Sequence, residues 1–208
     1  YDNFEATAFT TTFTGAINQK DKSLVRNIKE YLAIRCGMQE VYTYPWMNDT
    51  FVHAVLPDTD GILKLSTPPA PDLSYIRCSL LPNLCEAVAK NERYFHTFSI
   101  FEEAQVFFDR NYTSVYDATE SLPEQRRHIG AAFASSEKDI NTLFREAKGV
   151  LENMPRYTHM EAYEFRKEEK PFWADNVVWL NIYLGNEKIG DMGLMAKKVS
   201  MECGIKNL

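Results

Sequence analysis

No apolar run among the 208 residues reaches the roughly 18 needed to cross a bilayer, and no basic-then-apolar leader opens the chain. Both absences point to a soluble, cytoplasmic location with no membrane partner. Cysteine is scarce: four residues, at 36, 78, 85 and 203, form no Cys-x-x-Cys pair and no disulfide-scaffold spacing. That excludes a cystine-stapled secreted fold and favours a reducing compartment. Basic runs never exceed two residues, and 23 Lys and Arg face 29 Asp and Glu, for a net charge of −6. Nucleic-acid binding draws most of its affinity from phosphate neutralisation, so the chain alone is not a major RNA surface, and no DNA partner is expected. The doublets Arg126-Arg127 and Lys197-Lys198 read as solvated faces. A phosphate loop, GxSxG and HExxH are all missing. Histidines 53, 96, 128 and 159 stand far apart and read as ordinary polar residues, not as metal ligands. Gly190-x-x-Gly193 reads as a strand-end turn and not as an RNA clamp.

What is present suffices for one ordinary domain: 45% hydrophobic and 13% aromatic residues exclude global disorder. The chain is organised around Tyr75 to Phe108. Leu81, Leu84, Cys85 and Val88 form the stripe of an amphipathic helix, with Ser79 as its cap and Pro82 in the first turn. The period then changes to two, placing Phe98, Ile100, Ala104, Val106 and Phe108 on one face of a long strand. Alternation also puts Glu102 on that face, where a bare carboxylate would be costly. Arg77, just before the helix, is its expected structural partner, unless the sheet face opens to solvent there.

Elsewhere, residues 1–20 read as an extended lead-in from a preceding domain and 21–208 as the core domain. A helix over Lys22 to Arg35, ended by Gly37, carries Leu24, Ile28, Tyr31 and Leu32 on one face. Strands are expected over Glu40 to Met47 and Ile62 to Leu65. Asp109 to Glu124 reads as a polar loop leading to a strand over His128 to Ala134. Asp139 caps a helix that buries Ile140, Leu143, Phe144, Ala147, Val150 and Leu151 and stops at Pro155. Tyr157 to Phe165 alternates like a strand. Val177 to Leu184 and Lys188 to Leu194 form a hairpin about Gly185-Asn186, and a helix over Lys197 to Cys203 ends at Gly204. These elements predict an α+β domain, a mostly antiparallel sheet flanked by helices. The start at Tyr1, without a methionine, suggests a piece of a longer protein.

The same residues carry a family resemblance. Arg77, Ser79-Leu80-Leu81-Pro82, Leu84, Glu86-Ala87-Val88-Ala89 and Asn91, then Phe101-Glu102 and Val106-Phe107, resemble the RTSLLPGLLEAVARN and LFEIGRVF signatures of the bacterial phenylalanyl-tRNA synthetase β subunit. Tyr1-Asp2-Asn3 resembles its GYDNIP, and Cys36 to Val41 with Thr43-Tyr44 resembles GLGFQEVITY. Leu184 to Gly190 with Gly193 and Lys198-Val199 is similar to LNGEKIGYLGELHPKV. Ala104, Gln105 and Met195-Ala196 depart from the pattern. The resemblance implies a class II aminoacyl-tRNA synthetase catalytic-like fold that lacks an active site.

Adenylate chemistry needs fixed cations on the ATP phosphates. Aligning the central strand with the second class II motif puts Phe108 where its Arg would stand, and no Arg follows Arg166. The expectation is therefore a domain with no catalytic, cofactor-binding or metal residues, whose melting temperature ATP leaves unchanged. The resemblance further implies that the whole enzyme uses ATP and magnesium to attach phenylalanine to tRNA(Phe), through an α subunit that activates it and a second αβ pair. The alternative is an active class II synthetase-like, ATP-dependent ligase domain that uses other residues. Helix followed by strand is the arrangement of the first class II motif, so Leu24, Val25, Ile28, Tyr31, Leu32 and Ile34 are the candidate subunit interface. Val25 and Ile34 lie off the inner stripe, and apolar surface beyond one buried face marks a partner site. Packing of both under the lead-in is the other explanation.

Overall fold

The computed structural model describes residues 3, 8, 10–12, 15, 19–113 and 121–206. In chain order the elements are α1 (Lys20–Glu30), a π-helical turn (Tyr31–Arg35), β1 (Gln39–Glu40), β2 (Trp46–Met47), α2 (Asp49–Val55), β3 (Tyr75–Ile76), α3 (Leu81–Asn91), β4 (Thr97–Thr113), β5 (Ser121–Ser135), α4 (Ile140–Thr158), β6 (Glu164–Arg166), β7 (Ala174–Leu184), β8 (Glu187–Met195) and α5 (Lys197–Glu202). The strands form three small sheets, ordered β1-β4-β5, β2-β3 and β6-β7-β8. Among the described residues only β1 with β4 is parallel, and the other strand pairings are antiparallel. Twelve of the twenty residues of the expected lead-in over 1–20 lie outside the described residues.

The β4–β5 hairpin divides the core, because successive side chains of a strand point to opposite faces. One face carries Ile100, Val106 and Ala134 and meets Leu84, Cys85 and Val88 of α3, Ala54 and Val55 of α2, and Val199 of α5 with Cys203, the residue that caps its end. There α3 crosses β5 so closely that a Cβ on Gly130 would come within 2.7 Å of Leu84 Cδ1. The opposite face carries Phe101, fully buried, against Ile28, Tyr31, Leu32, Met38 and Met154. Truncating a side chain buried this deeply costs about 3–5 kcal/mol.

Several expected boundaries move. The helix from Lys22 begins two residues earlier and widens into the π turn, where Cys36 N–H donates to Tyr31 O over 3.1 Å. The wider turn places Tyr31 and Leu32 both inside, and Gly37 at φ +67° ends it. The strand over Glu40 to Met47 is broken into β1 and β2. Ile62 to Leu65 contributes a single bridge, Lys64 to Tyr75. Helix α2 was not foreseen, although Asn48 caps it by accepting from Thr50 N–H at 3.0 Å. Ser79 does accept from Leu81 N–H at 3.2 Å, but Leu80 occupies the cap position of α3.

Beyond the central helix, most of the polar stretch 109–124 is strand: β4 runs to Thr113 and β5 starts at Ser121, with a bulge between Phe108 and Asn111. Residues 114–120 lie outside the described residues. Helix α4 continues through Pro155 to Thr158, where His159 closes it in the left-handed conformation. A proline this late removes one hydrogen bond and tolerates the turn that follows, since His159 N–H still reaches Pro155 O. Ile140, expected inside, is 47% exposed at the first turn, whereas Met154, Pro155 and Thr158 are buried. Tyr157 to Phe165 is no strand; only Glu164–Arg166 pairs, with β7. The β7–β8 hairpin turns at Gly185, φ +60°, as the Gly-Asn pair requires.

Candidate functional site

The central strand places two charges in the core. Glu102 on β4 is 1% exposed and Arg77, between β3 and α3, is 8% exposed. Arg77 Nη1 lies 3.1 Å from Glu102 Oε1, so the structure brings the expected pair together. A third residue, not foreseen, completes the group. Thr43 donates its N–H to Glu102 Oε1 at 2.9 Å and its hydroxyl to Oε2 at 2.7 Å. Arg77 Nε meanwhile donates to Gln105 O at 2.6 Å, and its own N–H donates to Pro45 O at 2.8 Å. This network explains why β1 stops at Glu40. Val41 N–H still reaches Phe101 O, but at Thr43 the Glu102 side chain replaces the backbone acceptor that a ladder would supply. Asn83 of α3 then holds the next residues, donating to Tyr44 O and Trp46 O at 3.2 and 3.1 Å. Both oxygens of Glu102 are engaged by Thr43, and one of them also by Arg77, so the cluster positions backbone; Asn83 Oδ1 is buried without a hydrogen-bond partner.

The far half of the hairpin is where phosphate-binding cations would be sought. Phe108 is half-buried, and the Arg126 guanidinium stands 5.8 Å from the centre of its ring. Each nearby arginine is turned to a carboxylate of the same hairpin: Arg126 to Glu124 at 2.6 Å, Arg110 to Glu124 at 3.9 Å, Arg127 to Glu103 at 3.0 Å. Arg126 and Arg127 are thus a pair of solvated surface charges with intramolecular partners. Among the described residues no three His, Cys, Asp or Glu side chains gather as a metal site. His53 instead meets Tyr75 edge-on, and His128 sits near Phe108.

The six candidate interface residues divide. Ile28, Tyr31 and Leu32 are at most 6% exposed, and Leu24 packs against the same cluster, so these four serve the chain's own core. Tyr31 is further fixed by donating to Val150 O at 2.8 Å and by stacking on Tyr157. Burial, then contact with Cys36, pushes its hydroxyl pKa well up. Val25 is half-buried and Ile34 is 75% exposed. The pinned segment after β1 displays Tyr42 and Tyr44, both mostly exposed, with Tyr44 stacked on Trp46 at 4.5 Å. Lys29 of α1 joins the two elements through an ion pair with Glu40 and a 3.3 Å bond to the Tyr42 hydroxyl. The Glu40 contact raises the Lys29 pKa. A cleft of about 720 Å³ opens on the other side of the π turn, between it, β4 and α4, walled by Arg35, Phe95, Ser99, Phe133 and Tyr157.

Residues 5–208 match the family described as phenylalanyl tRNA synthetase beta chain CLM domain. Among relatives, a phenylalanine–tRNA ligase β subunit of Buchnera aphidicola is 26% identical over 223 residues, covering 100% of this chain and 26% of that protein. That of Idiomarina loihiensis is 28% identical over 172 residues, covering 81% of this chain and 21% of its own length. The chain thus spans about a quarter of the length of the curated relatives it matches. Among solved structures, a pyrrolysyl-tRNA synthetase of Desulfitobacterium hafniense superposes with a TM-score of 0.68 at 12% identity, over 89% of this chain and 62% of that one. The fold is that of class II aminoacyl-tRNA synthetase catalytic domains.

Proposed function

Because the chain belongs to the CLM-domain family of the phenylalanyl-tRNA synthetase β chain, we propose that it is a non-catalytic, assembly-forming domain of the β subunit of phenylalanine–tRNA ligase. In this reading the α subunit activates phenylalanine with ATP and magnesium, two αβ pairs make up the cytoplasmic enzyme, and tRNA(Phe) is bound by the whole assembly. This domain itself takes no ATP, metal or other cofactor.

The observation that carries the non-catalytic reading is the hairpin around Phe108. An apolar ring occupies the place that the resemblance assigns to a phosphate-binding Arg, and the surrounding arginines already hold Glu124 and Glu103. Stabilising charge that builds on a phosphate requires cations fixed in position and free to meet it. Pyrophosphate exchange with phenylalanine and ATP is the direct test. The purified chain is expected to give no turnover, and ATP no saturable shift of its melting temperature; turnover would favour an active ligase domain instead.

Assembly rests on the surface of α1, the π turn and the segment after β1. Ile34, Tyr42 and Tyr44 are apolar or aromatic and exposed, and the two tyrosines flank Thr43 on backbone that the Glu102 and Asn83 bonds hold in place. Rigid aromatic anchors of this kind concentrate binding energy at protein interfaces. Ile34→Asp and Val25→Asp in the full β subunit are expected to abolish co-elution with α in size-exclusion chromatography. An unchanged complex with a folded variant would move the interface elsewhere.

A further inference from the structure

The edge of β4 that faces away from β5 is occupied along much of its length but not at its start. Phe101 O accepts from Val41 N–H, Gln105 O accepts from the Arg77 side chain, and Phe107 N–H donates to Arg77 O. These are alternate residues, because the backbone groups of a strand point to one neighbour and then to the other. Thr97 and Ser99 belong to the same set, and no register shift separates them from Phe101. Strand β1 does not reach them: it runs parallel to β4 and pairs only through Gln39 and Glu40, opposite Ile100 and Phe101. The residues that would continue it are Gly37, which leaves the π turn at φ +67°, and Met38, whose N–H is spent on Leu32 O. Among the described residues no strand pairs with 97–99 on that side. About 10 Å of strand edge is left open, at about 3.3 Å per residue.

That edge borders the 720 Å³ cleft beside the π turn, and the cleft is apolar on both faces of the sheet. Phe133 stands opposite Ser99 and shares its face. Phe95 meets Phe98, whose side chain points to the other face, edge-on at 6.2 Å. A strand laid here would bury alternate side chains against both aromatics. The charge of the cleft is unbalanced. Lys138 is paired with Glu146 at 2.7 Å, whereas Arg35 stands 5.7 Å from the centre of the Tyr157 ring and meets no carboxylate among the described residues. One guanidinium is therefore available to an anion from outside.

We propose that the cleft takes an extended segment of the α subunit, which joins β4 as an added strand beside 97–99, sets apolar side chains against Phe133 and Phe95, and places a carboxylate on Arg35. This contact belongs to the assembly described above and rests on that reading. Backbone pairing supplies affinity, while the two apolar walls and Arg35 select the segment. Continuity favours the α subunit as its source. Ile34, the most exposed residue of the proposed interface, adjoins Arg35 on the π turn, so a protein seated on Ile34 has only to pass round that turn to enter the cleft. A nucleic acid suits the site less, because a single unpaired cation neutralises little of a phosphate backbone.

The test is amide hydrogen exchange on the full β subunit, alone and with α, with co-elution of the two subunits measured on the same samples. On assembly the Thr97 and Ser99 amides are expected to slow about tenfold, the order that one new hydrogen bond each implies. The Phe98 and Ile100 amides, which face β5, should change little. Arg35→Glu should abolish the slowing, and Arg35→Lys, which keeps the charge, should retain most of it. If the complex forms and both amides exchange as they do in β alone, the added strand is ruled out while the assembly reading stands. If no complex forms, both fall. The proposal is also overturned if the two amides are already slow in β alone, so that a segment of its own chain fills the slot, if tRNA slows them without α, or if Arg35→Glu leaves the slowing intact.

Discussion

Two carboxylates grip a threonine in the same way, one in the core and one at the surface. Glu102 accepts the N–H and the hydroxyl of Thr43 at 2.9 and 2.7 Å. Asp139 accepts the N–H and the hydroxyl of Thr142 at 3.1 and 2.6 Å. The bonds are alike; what surrounds them is not. When the Asp139 contact is lost, water takes both donors. When the Glu102 contact is lost, Arg77 and the Thr43 N–H are left where water does not readily reach. The difference teaches that the worth of a polar contact is set less by its length than by what its partners face without it. Asn181 lies between these limits. It is fully buried but neutral, accepts from the N–H groups of Glu168 and Glu169, and donates to Glu169 O and to Asp191.

The sharpest break of this comparison is Glu102→Ala. Removing one member of a buried pair strands the other, at a cost of about 3–5 kcal/mol. Urea denaturation should show a loss of that size with little change in slope. Glu102→Gln keeps an oxygen for Thr43 and Arg77 and should lose clearly less. Replacing both charges, Arg77→Met with Glu102→Leu, should cost less than Glu102→Ala alone, because no charge is left unpaired. If the alanine variant loses under about 1 kcal/mol, the typical worth of a neutral hydrogen bond, the pair does not hold this segment.

A middle value is expected for Asn181→Ala. No charge is stranded, but two N–H donors and one carbonyl of the 168–169 stretch lose their partner, for roughly 2 kcal/mol in total after water reaches the outer ones. Amide exchange should locate the loss, with the Glu168 and Glu169 N–H groups exchanging much faster while the β4–β5 amides do not change. Uniform acceleration throughout would mean that Asn181 supports the whole domain and not its local stretch.

The ranking also explains what the sequence could and could not disclose. Glu102 stood out because a carboxylate interrupted an apolar alternation, and Arg77 was the basic residue next to it. Thr43 did not stand out, because its role depends on the chain bending away after Glu40, a tertiary event with no local pattern. Asn181 was hidden for the same reason: one asparagine among Leu180, Ile182 and Trp179 reads as the polar face of a hairpin. Helix α2 was missed because seven residues hold barely two turns of period, and its Asn48 cap was the only local signal. Helix α3, the hairpin at Gly185 and the cap at Asp139 were legible because each is fixed by residues within a few positions of one another. On the proposed interface, periodicity separated Val25 and Ile34 from the inner stripe, whereas the exposure of Tyr42 and Tyr44 follows from the Thr43 anchor.

The smallest effect belongs to Asp139, and its sign follows from linkage. The Thr142 hydroxyl first, and then the Thr142 N–H, hold the Asp139 carboxyl below its usual pKa. A carboxyl depressed in the folded state binds fewer protons there than in the unfolded chain, so it adds stability above its unfolded pKa. That stability is lost as the pH falls from about 4, the unfolded carboxyl value, through the lower folded value. The carboxylate is exposed, so salt and water weaken it. Asp139→Asn keeps an oxygen for the Thr142 N–H and removes the titration, which separates the charge from the cap. Near pH 7 the unaltered chain should melt slightly higher than the variant, since a negative charge at the start of α4 also suits the helix dipole. The gap should narrow as the pH is taken below about 4, where free carboxyls protonate, and shrink with added salt at pH 7. A gap that stays constant across both series would show that Asp139 acts through its hydrogen bonds alone. The surface carboxylate would then differ from Glu102 in kind as well as in degree.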